Sequence, residues 1–448
     1  MGTGGGECVD VDNFDGIDVG EFDGSFRGIS YVAVADAFVE QLFVVVDLAG
    51  PGLAGYTLGM SFVEEPRKLW WRKALFQVHL WLGVGLGLYF MLVGVTGSVI
   101  VYKKEMERAM IPQLVRVEPK AERVSFQGMV ELVRKSYPQG TLQNVYLYWE
   151  PGASWSFRVQ SKKEGRIQVY VDPYRGTVLG EDRYKGKFLQ WVYDLHVNLL
   201  MGDLGKLLNG WGGFCLAVVS LSGIVVWWPG RRWWRQGFTY ETRARWKRQN
   251  YDLHKIGGFI SSLALVLLAI TGAYYSFPRE FEAFIELVTG SPAKIATPRV
   301  VKAAGVDDAS LDVVLEAGRK AVPGGVPTLF RLAAKPGEVH SLHHILPGDW
   351  RTQGDHVAYV NPQTAEVVRV TYHQDVPLGA RIQRDISGLH FGTFAGDVSR
   401  VLWIVMGVVP VLLFVTGVLM WWNRSLGKIW AKMRRGHRVR PKQMANSL

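Results

Sequence analysis

Four apolar stretches dominate what this chain can fold into: Ala74–Tyr102, Trp211–Trp228, Ile256–Phe277 and Val401–Trp422. None contains an acidic residue. At about 1.5 Å per helical residue, each suits a hydrocarbon core roughly 30 Å thick. The stretches also fall into two matched pairs. His79 precedes Thr96-Gly97 by the same interval that separates His254 from Thr271-Gly272. His196 and His390 lead at one offset to Gly202-Asp203 and Gly396-Asp397, then at another to Gly223 and Gly417, each before a Trp-Trp end. The pattern predicts a polytopic α-helical membrane protein with four main spans in two parallel tandem repeats.

The net charge of +11 is placed beside the spans and is not a nucleic-acid footprint. Arg67, Lys68, Arg72 and Lys73 precede the first span. Arg231, Arg232, Arg235, Arg243, Arg245, Lys247 and Arg248 fill the link between the second and third. Arg424, Lys428, Lys432, Arg434, Arg435, Arg438 and Arg440 follow the fourth. The positive-inside rule puts these regions and both termini in the cytoplasm, and the connections 104–206 and 278–398 outside. The basic patches then meet anionic lipid. The two cysteines, Cys8 and Cys215, support neither a disulfide framework nor a thiolate metal site. Residues 1–59 carry one basic residue, Arg27, among many acidic ones, and read as a disordered arm or as an over-extended start before Met60.

The segments expected in order are 60–103 with the first span, a module at 104–186, and 187–230 with His196 and the second span. A basic loop at 231–253, the third span at 254–277 and a second module at 278–380 follow. The segment 381–423 holds His390 and the fourth span, and 424–448 is a basic tail. In the first module Ser125–Tyr137 has helical spacing, followed by strands at Gln143–Tyr148, Trp155–Gln160, Arg166–Val171 and Thr177–Leu179. The second repeats the plan with a helix at Leu311–Ala321 and strands at Thr328–Ala333, Glu338–Ile345 and His356–Val360. Both contain a Tyr-Val-Asx-Pro turn, at Asp172-Pro173 and Asn361-Pro362.

A helix followed by an antiparallel sheet with this hairpin resembles the PepSY domain. With Phe-Gln-Val-His79, Asp-Leu-His196, Asp-Leu-His254 and Gly-Leu-His390 beside the spans, Met60 to Lys432 resembles the PepSY-associated transmembrane family. That family includes bacterial iron-regulated membrane proteins and ferrioxamine-type siderophore reductases. The resemblance implies an inner-membrane oxidoreductase that carries electrons through two b-type haems to ferric siderophores in the periplasm, releasing ferrous iron for uptake. The two modules are then periplasmic and PepSY-like. No flavin or nicotinamide motif is present, because Gly83-Val-Gly85-Leu-Gly87 sits inside a span with no strand before it. The electron donor would be quinol or a separate cytoplasmic reductase.

The histidines support that implication on their own chemistry. Parallel repeats put equivalent residues at equal depth, so His79 can face His254 near the cytoplasmic side and His196 can face His390 near the outer side. Two imidazoles on one iron leave no open position, which suits electron transfer. A proton relay and ordinary interfacial hydrogen bonding are the other readings of such residues. His196 is too far from Gly223 for one straight span, so the chain must bend near Gly202, and near Gly396 in the second copy. Asp203 and Asp397 are expected as helix caps there. Arg72, Lys73, Arg248 and Lys255 are placed for haem propionates. Gly83, Gly85, Gly87, Gly257 and Gly258 offer close approach to a macrocycle or another helix. His340, His343 and His344 make a weaker candidate metal site, with exposed strand histidines as the alternative, and His437 carries no assignment. Tyr146, Tyr148, Trp149 and Trp155 fit strand packing, with a ligand-binding surface as the other reading. A non-catalytic PepSY membrane protein, either a protease regulator or a transporter subunit, is the rival reading. A haem reductase of a non-iron substrate is the third.

Overall fold

The computed structural model describes residues 66, 69–183, 187–350 and 354–425. The acidic segment at 1–59, Cys8, the Met60 start and His437 lie outside them. The described residues within 70–228 and 233–425 form one compact unit, described below. The other, 1–69 with 229–232, has few described residues.

Four long helices meet the length and apolarity needed to cross a membrane: α1 (Trp70–Ile100), α5 (Gly202–Trp227), α6 (Trp246–Tyr274) and α10 (Gly396–Arg424). The windows of highest mean hydropathy run from 1.7 to 2.6. All four helices start before the apolar stretches that announce them. Hydropathy marks the part of a helix that sits in lipid, whereas backbone hydrogen bonding continues through flanking turns such as Trp70–Lys73. The outer face of α10 exposes Val401, Val405, Val408, Leu412, Val415 and Leu419, one stripe at helical spacing. A bundle apolar on its outside has lipid as its solvent, and its helices must be held together by packing and hydrogen bonds.

The packing follows from small residues. The four helices form a ring in which α1 touches α10 and α5, and α6 touches the same two. Where α1 crosses α10, a Cβ at Gly407 would lie 2.6 Å from the Gly94 carbonyl oxygen. Ser98 Oγ donates across the same crossing to Ile404 O at 2.9 Å. Where α5 crosses α6, a Cβ at Gly213 would lie 2.8 Å from Ala269 O.

Between α1 and α5 the chain forms α2 (Lys103–Met110), α3 (Phe126–Ser136) and strands β1 (Gly140–Tyr146), β2 (Trp155–Ser161), β3 (Gly165–Asp172) and β4 (Thr177–Arg183). Helix α4 (Phe188–Asn198) leads back to the bundle. After α6 come α7 (Pro278–Thr289), α8 (Leu311–Lys320), β5 (Val326–Arg331), β6 (His340–Ile345), β7 (His356–Val360) and β8 (Val367–Thr371). Helix α9 (Leu378–Phe391) then leads into α10. The sequence anticipates most of these, but not α2, α7 or β8.

The two α+β modules share one sheet. Its order is β4-β3-β2-β1-β5-β6-β7-β8, which reads the same outward in both directions from an antiparallel β1–β5 pair. Val145 opposes Phe330 there, and both are buried. The helices join as well. Asp312 of α8 accepts from Phe126 N at 2.6 Å and Gln127 N at 3.2 Å at the start of α3, while Gln127 Oε1 accepts from Leu311 N at 3.0 Å. Trp155 is buried and donates to Tyr148 O, and Trp149 donates to Pro327 O, so these aromatics pack the sheet. One sheet built from both connections puts both on the same side of the bundle.

A branched side chain at Gly407 would meet backbone that cannot move aside. Gly407→Val is expected to cost about 1–3 kcal/mol by overpacking, read as a lower Tm in detergent. Gly85→Ala, where a Cβ meets nothing within 4 Å, should leave the Tm unchanged or raise it.

Candidate functional site

Each of the four histidines is held by the same local device on a neighbouring helix. His79 on α1 points its Nδ1 at Val219 O (3.0 Å) and Ser222 Oγ (3.2 Å) of α5. His196 on α4 points its Nδ1 at Val93 O (3.0 Å) and Thr96 Oγ1 (3.3 Å) of α1. On α6, His254 meets Thr416 Oγ1 at 2.9 Å with the Leu413 carbonyl beside it. On α9, His390 meets Thr271 Oγ1 at 3.0 Å with the Leu268 carbonyl beside it.

Every clamp has a hydroxyl residue, the glycine after it, and the carbonyl one turn before it. The glycine makes room for the ring. A Cβ at Gly97 would lie 2.9 Å from His196 Cε1, at Gly272 3.0 Å from His390 Cε1, at Gly223 3.1 Å from His79 Cε1, and at Gly417 3.2 Å from His254 Cε1. The hydroxyls spend their own protons on carbonyls of their own helix, as Ser222 does to Val219 O at 2.9 Å and Thr416 to Leu412 O at 2.6 Å. Nδ1 therefore faces acceptors only. The proton of each neutral imidazole is assigned to Nδ1, and the Nε2 lone pair is left to bind a metal.

The four rings form two pairs. The centroids of His79 and His254 are 6.3 Å apart, and those of His196 and His390 are 6.4 Å apart. An imidazole nitrogen lies about 1.1 Å from its ring centroid and binds a first-row metal at about 2.0–2.1 Å, so two rings opposed through one metal stand about 6.3 Å apart between centroids. The pairs lie near opposite ends of the bundle. Along α1, His79 and the Gly97 clamp are separated by about 27 Å at ~1.5 Å per residue. Gly83, one turn after His79 on the same face, has open space where a Cβ would stand, as does Gly85. Gly87 instead packs on Phe414, and Gly257 and Gly258 face Leu412 and Leu413 at ordinary contact distance.

His196 and His390 reach their clamps because the chain turns where a straight helix would overshoot. After α4, Leu199, Leu200 and Gly202 all take positive φ, at 53°, 61° and 60°. After α9, Gly392 and Gly396 do so at 73° and 61°. Side chains from the following helix hold the last carbonyls. Asn209 donates to His196 O at 2.8 Å, and Trp403, at the equivalent position, donates to Leu389 O at 2.8 Å. Asp203 and Asp397 do not cap these helices. The N-cap residues are Met201 and Ala395 without a side-chain bond, and the aspartates sit in the first turn, where the helix dipole favours them. Tyr275 lies over His390 at 5.5 Å and stacks on Phe391.

The basic residues near His79 and His254 engage the protein. Arg72 donates to the carbonyls of Val226 (2.5 Å) and Trp228 (3.4 Å) at the end of α5. Arg248 and Lys255 flank the buried Asp252 at 2.9 and 3.0 Å, and Lys255 also reaches Thr239 O. Lys73 is exposed.

His340, His343 and His344 are not brought together. His340 Nδ1 accepts from Ala333 N, while His343 and His344 turn their Nδ1 atoms to Gly354 O and His356 O. They are not exposed either: His340 and His344 are buried and His343 is half-buried, because β6 is an interior strand of the joined sheet. Sequence reasoning missed Ser222 and Thr416. They precede Gly223 and Gly417 as Thr96 and Thr271 precede Gly97 and Gly272, so the signal was a hydroxyl-glycine pair repeated four times.

A description of the PepSY-associated TM region matches residues 76–424, the span that carries all four clamps. The chain belongs to that family. No curated protein matches it. This PepSY-associated TM chain is therefore a membrane protein with four spanning helices and an α+β sheet region.

Two measurements test the site. In the cofactor-free chain, ¹⁵N solid-state NMR should find His79, His196, His254 and His390 protonated at Nδ1; protonation at Nε2 would refute the clamp. The sheet histidines make folding acid-sensitive. Burial pushes His340 and His344 down to about 4 and His343 down to about 3. The unfolded chain binds protons that the folded sheet refuses, so stability is full above about pH 6.5 and falls as the pH drops towards 4. Each residue contributes up to about 3 kcal/mol to that fall. Thermal melts followed by near-UV dichroism should show the Tm falling from pH 7 to 4.5, and less steeply in His344→Leu. An unchanged slope would place the sensitivity elsewhere.

Proposed function

We propose that this PepSY-associated TM protein is a di-haem b reductase of the bacterial inner membrane. It would take electrons from quinol or a cytoplasmic donor and deliver them to ferric siderophores in the periplasm, where ferrous iron is released. The observation that carries this reading is the clamp repeated four times, with paired rings at the separation that one shared metal requires.

His79 with His254, and His196 with His390, would hold the two groups. When bound, a bis-imidazole haem supplies one-electron cycling between ferric and ferrous iron with no open coordination position. The chain's residues do the rest. Carbonyls and hydroxyls on Nδ1 fix ring orientation and raise the basicity of Nε2. Gly83 leaves room beside the first pair. The apolar bundle excludes water between the pairs. The described basic residues Arg72, Lys73, Arg243, Arg245, Lys247, Arg248 and Arg424, at the ends of the spans away from the sheet, support a cytoplasmic placement of that side by the positive-inside rule. The sheet would then be periplasmic, and its palindromic strand order fits two tandem repeats.

Purified protein from haem-replete cells should contain two haems per chain and show a split α band on dithionite reduction. His79→Ala with His254→Ala should remove one haem, and His196→Ala with His390→Ala the other. A ferric siderophore should reoxidise the reduced protein within seconds. Colourless protein would favour the non-catalytic reading. Haems that ferric siderophores fail to reoxidise would favour a non-iron substrate.

A further inference from the structure

A second cluster of metal-binding side chains lies outside the imidazole pairs. Asp355 stands just before β7, His373 lies in a single 3-10 turn after β8, and Asp385 is on α9. Each offers one ligand atom, and these atoms all lie within 4.8 Å of one another. Among the described residues it is the one group of three or more such side chains so disposed.

The geometry points to a site for a divalent first-row transition cation built from Asp355, His373 and Asp385. His373 is buried, at 7% exposure, between the two carboxylates. Its Nδ1 is 3.5 Å from Asp355 Oδ2 and its Nε2 is 3.6 Å from Asp385 Oδ1. Two ligands held on one metal at about 2.0–2.2 Å stand roughly 3.3–3.6 Å apart, a spacing that one ring nitrogen already has with its nearer carboxylate, while the third ligand atom lies within 4.8 Å of both. One nitrogen binds a metal at a time, so the farther carboxylate must swing in by a change of rotamer. The aspartate side chains are partly exposed, at 21% and 28%, which leaves a way in from solvent. The backbone of His373 is anchored, since its N–H donates to His356 Nδ1 at 3.4 Å while His356 Nε2 meets Asp349 at 3.1 Å. Among the neighbouring cations, Arg384 donates to the backbone carbonyl of Asp355, and Arg381 to that of Val376.

One imidazole with two carboxylates selects Mn²⁺, Fe²⁺ or Zn²⁺. It lacks the thiolate that Cu⁺ prefers and the all-oxygen shell of Ca²⁺. Asp385 precedes His390 on the same helix by about 7.5 Å of rise at ~1.5 Å per residue, so a bound cation would lie close to the His196–His390 pair. The site stands on its own ligands and does not depend on what the imidazole pairs hold.

The test uses the full chain in detergent, treated with chelator and titrated with Mn²⁺ under electron paramagnetic resonance. Zn²⁺ is titrated separately in competition with a chromophoric chelator. Wild type should bind one equivalent that is weakened at least about tenfold in Asp355→Asn with Asp385→Asn. The nitrogen coupling to bound Mn²⁺ should vanish in His373→Gln. Asp385→Asn alone, isosteric and on a helix surface, guards against misfolding, with gel filtration as the check. No stoichiometric binding up to about 1 mM metal would reduce the cluster to an ion-paired histidine and overturn the site. Equal affinity in the wild type and the aspartate variants would assign the metal to other residues and overturn it too.

Discussion

A neutral imidazole buried in an apolar bundle has one N–H that must find an acceptor, and much of this architecture follows from where that acceptor is. Helix carbonyls are already engaged one turn along, but each keeps a second lone pair. Reaching it sets the Cε1–Nδ1 edge of the ring close against the helix, where a Cβ would block it. Glycine removes the block, and the hydroxyl before it offers a second acceptor. Unsatisfied, such a group costs at least about 1–3 kcal/mol, so a helix that carries a histidine is committed to a partner helix that carries the pair.

These commitments run within each half of the chain. His79 and His196 tie α1, α4 and α5 together, and His254 and His390 tie α6, α9 and α10. The rings then pair between the halves, His79 with His254 and His196 with His390. The halves are joined by other means: glycine crossings of α1 with α10 and α5 with α6, the β1–β5 pair, and the reciprocal caps at Asp312 and Gln127. Orientation and assembly are thus carried by different contacts.

That separation explains what could be read from the sequence. Spans, strands and histidine spacing are local and periodic, so hydropathy and intervals expose them. The bends at Gly202 and Gly396 were legible because a straight helix would be too long. The joining of two modules into one sheet was not, since each reads as complete in itself and edge pairing leaves no periodic mark. Nor was the identity of the clamping helix. Thr96-Gly97 follows His79 in the chain, yet it is His196 that rests on it. The metal triad draws on three elements and has no spacing to recognise.

The duplicated plan is strict at the clamps and loose beyond them, and the chemistry accounts for the difference. Counting back from the outer histidines, Asp385 on α9 corresponds to Trp191 on α4, which with Phe188 forms an exposed stacked pair. Counting from the Asx-Pro turns, Asp355 corresponds to Arg166 on β3. One half therefore offers carboxylates where the other offers an aromatic ridge and a cation. A substitution there changes only what the sheet side presents, whereas one in a clamp strands a buried N–H or overfills a helix crossing. His196 and His390 are thus matched in geometry but not in surroundings, because Asp385 on the helix of His390 meets the buried His373, where the helix of His196 carries Trp191. A symmetric bundle with an asymmetric cap gives the His196–His390 pair two different flanks, the Asp355–His373–Asp385 cluster on one and the Phe188–Trp191 pair on the other.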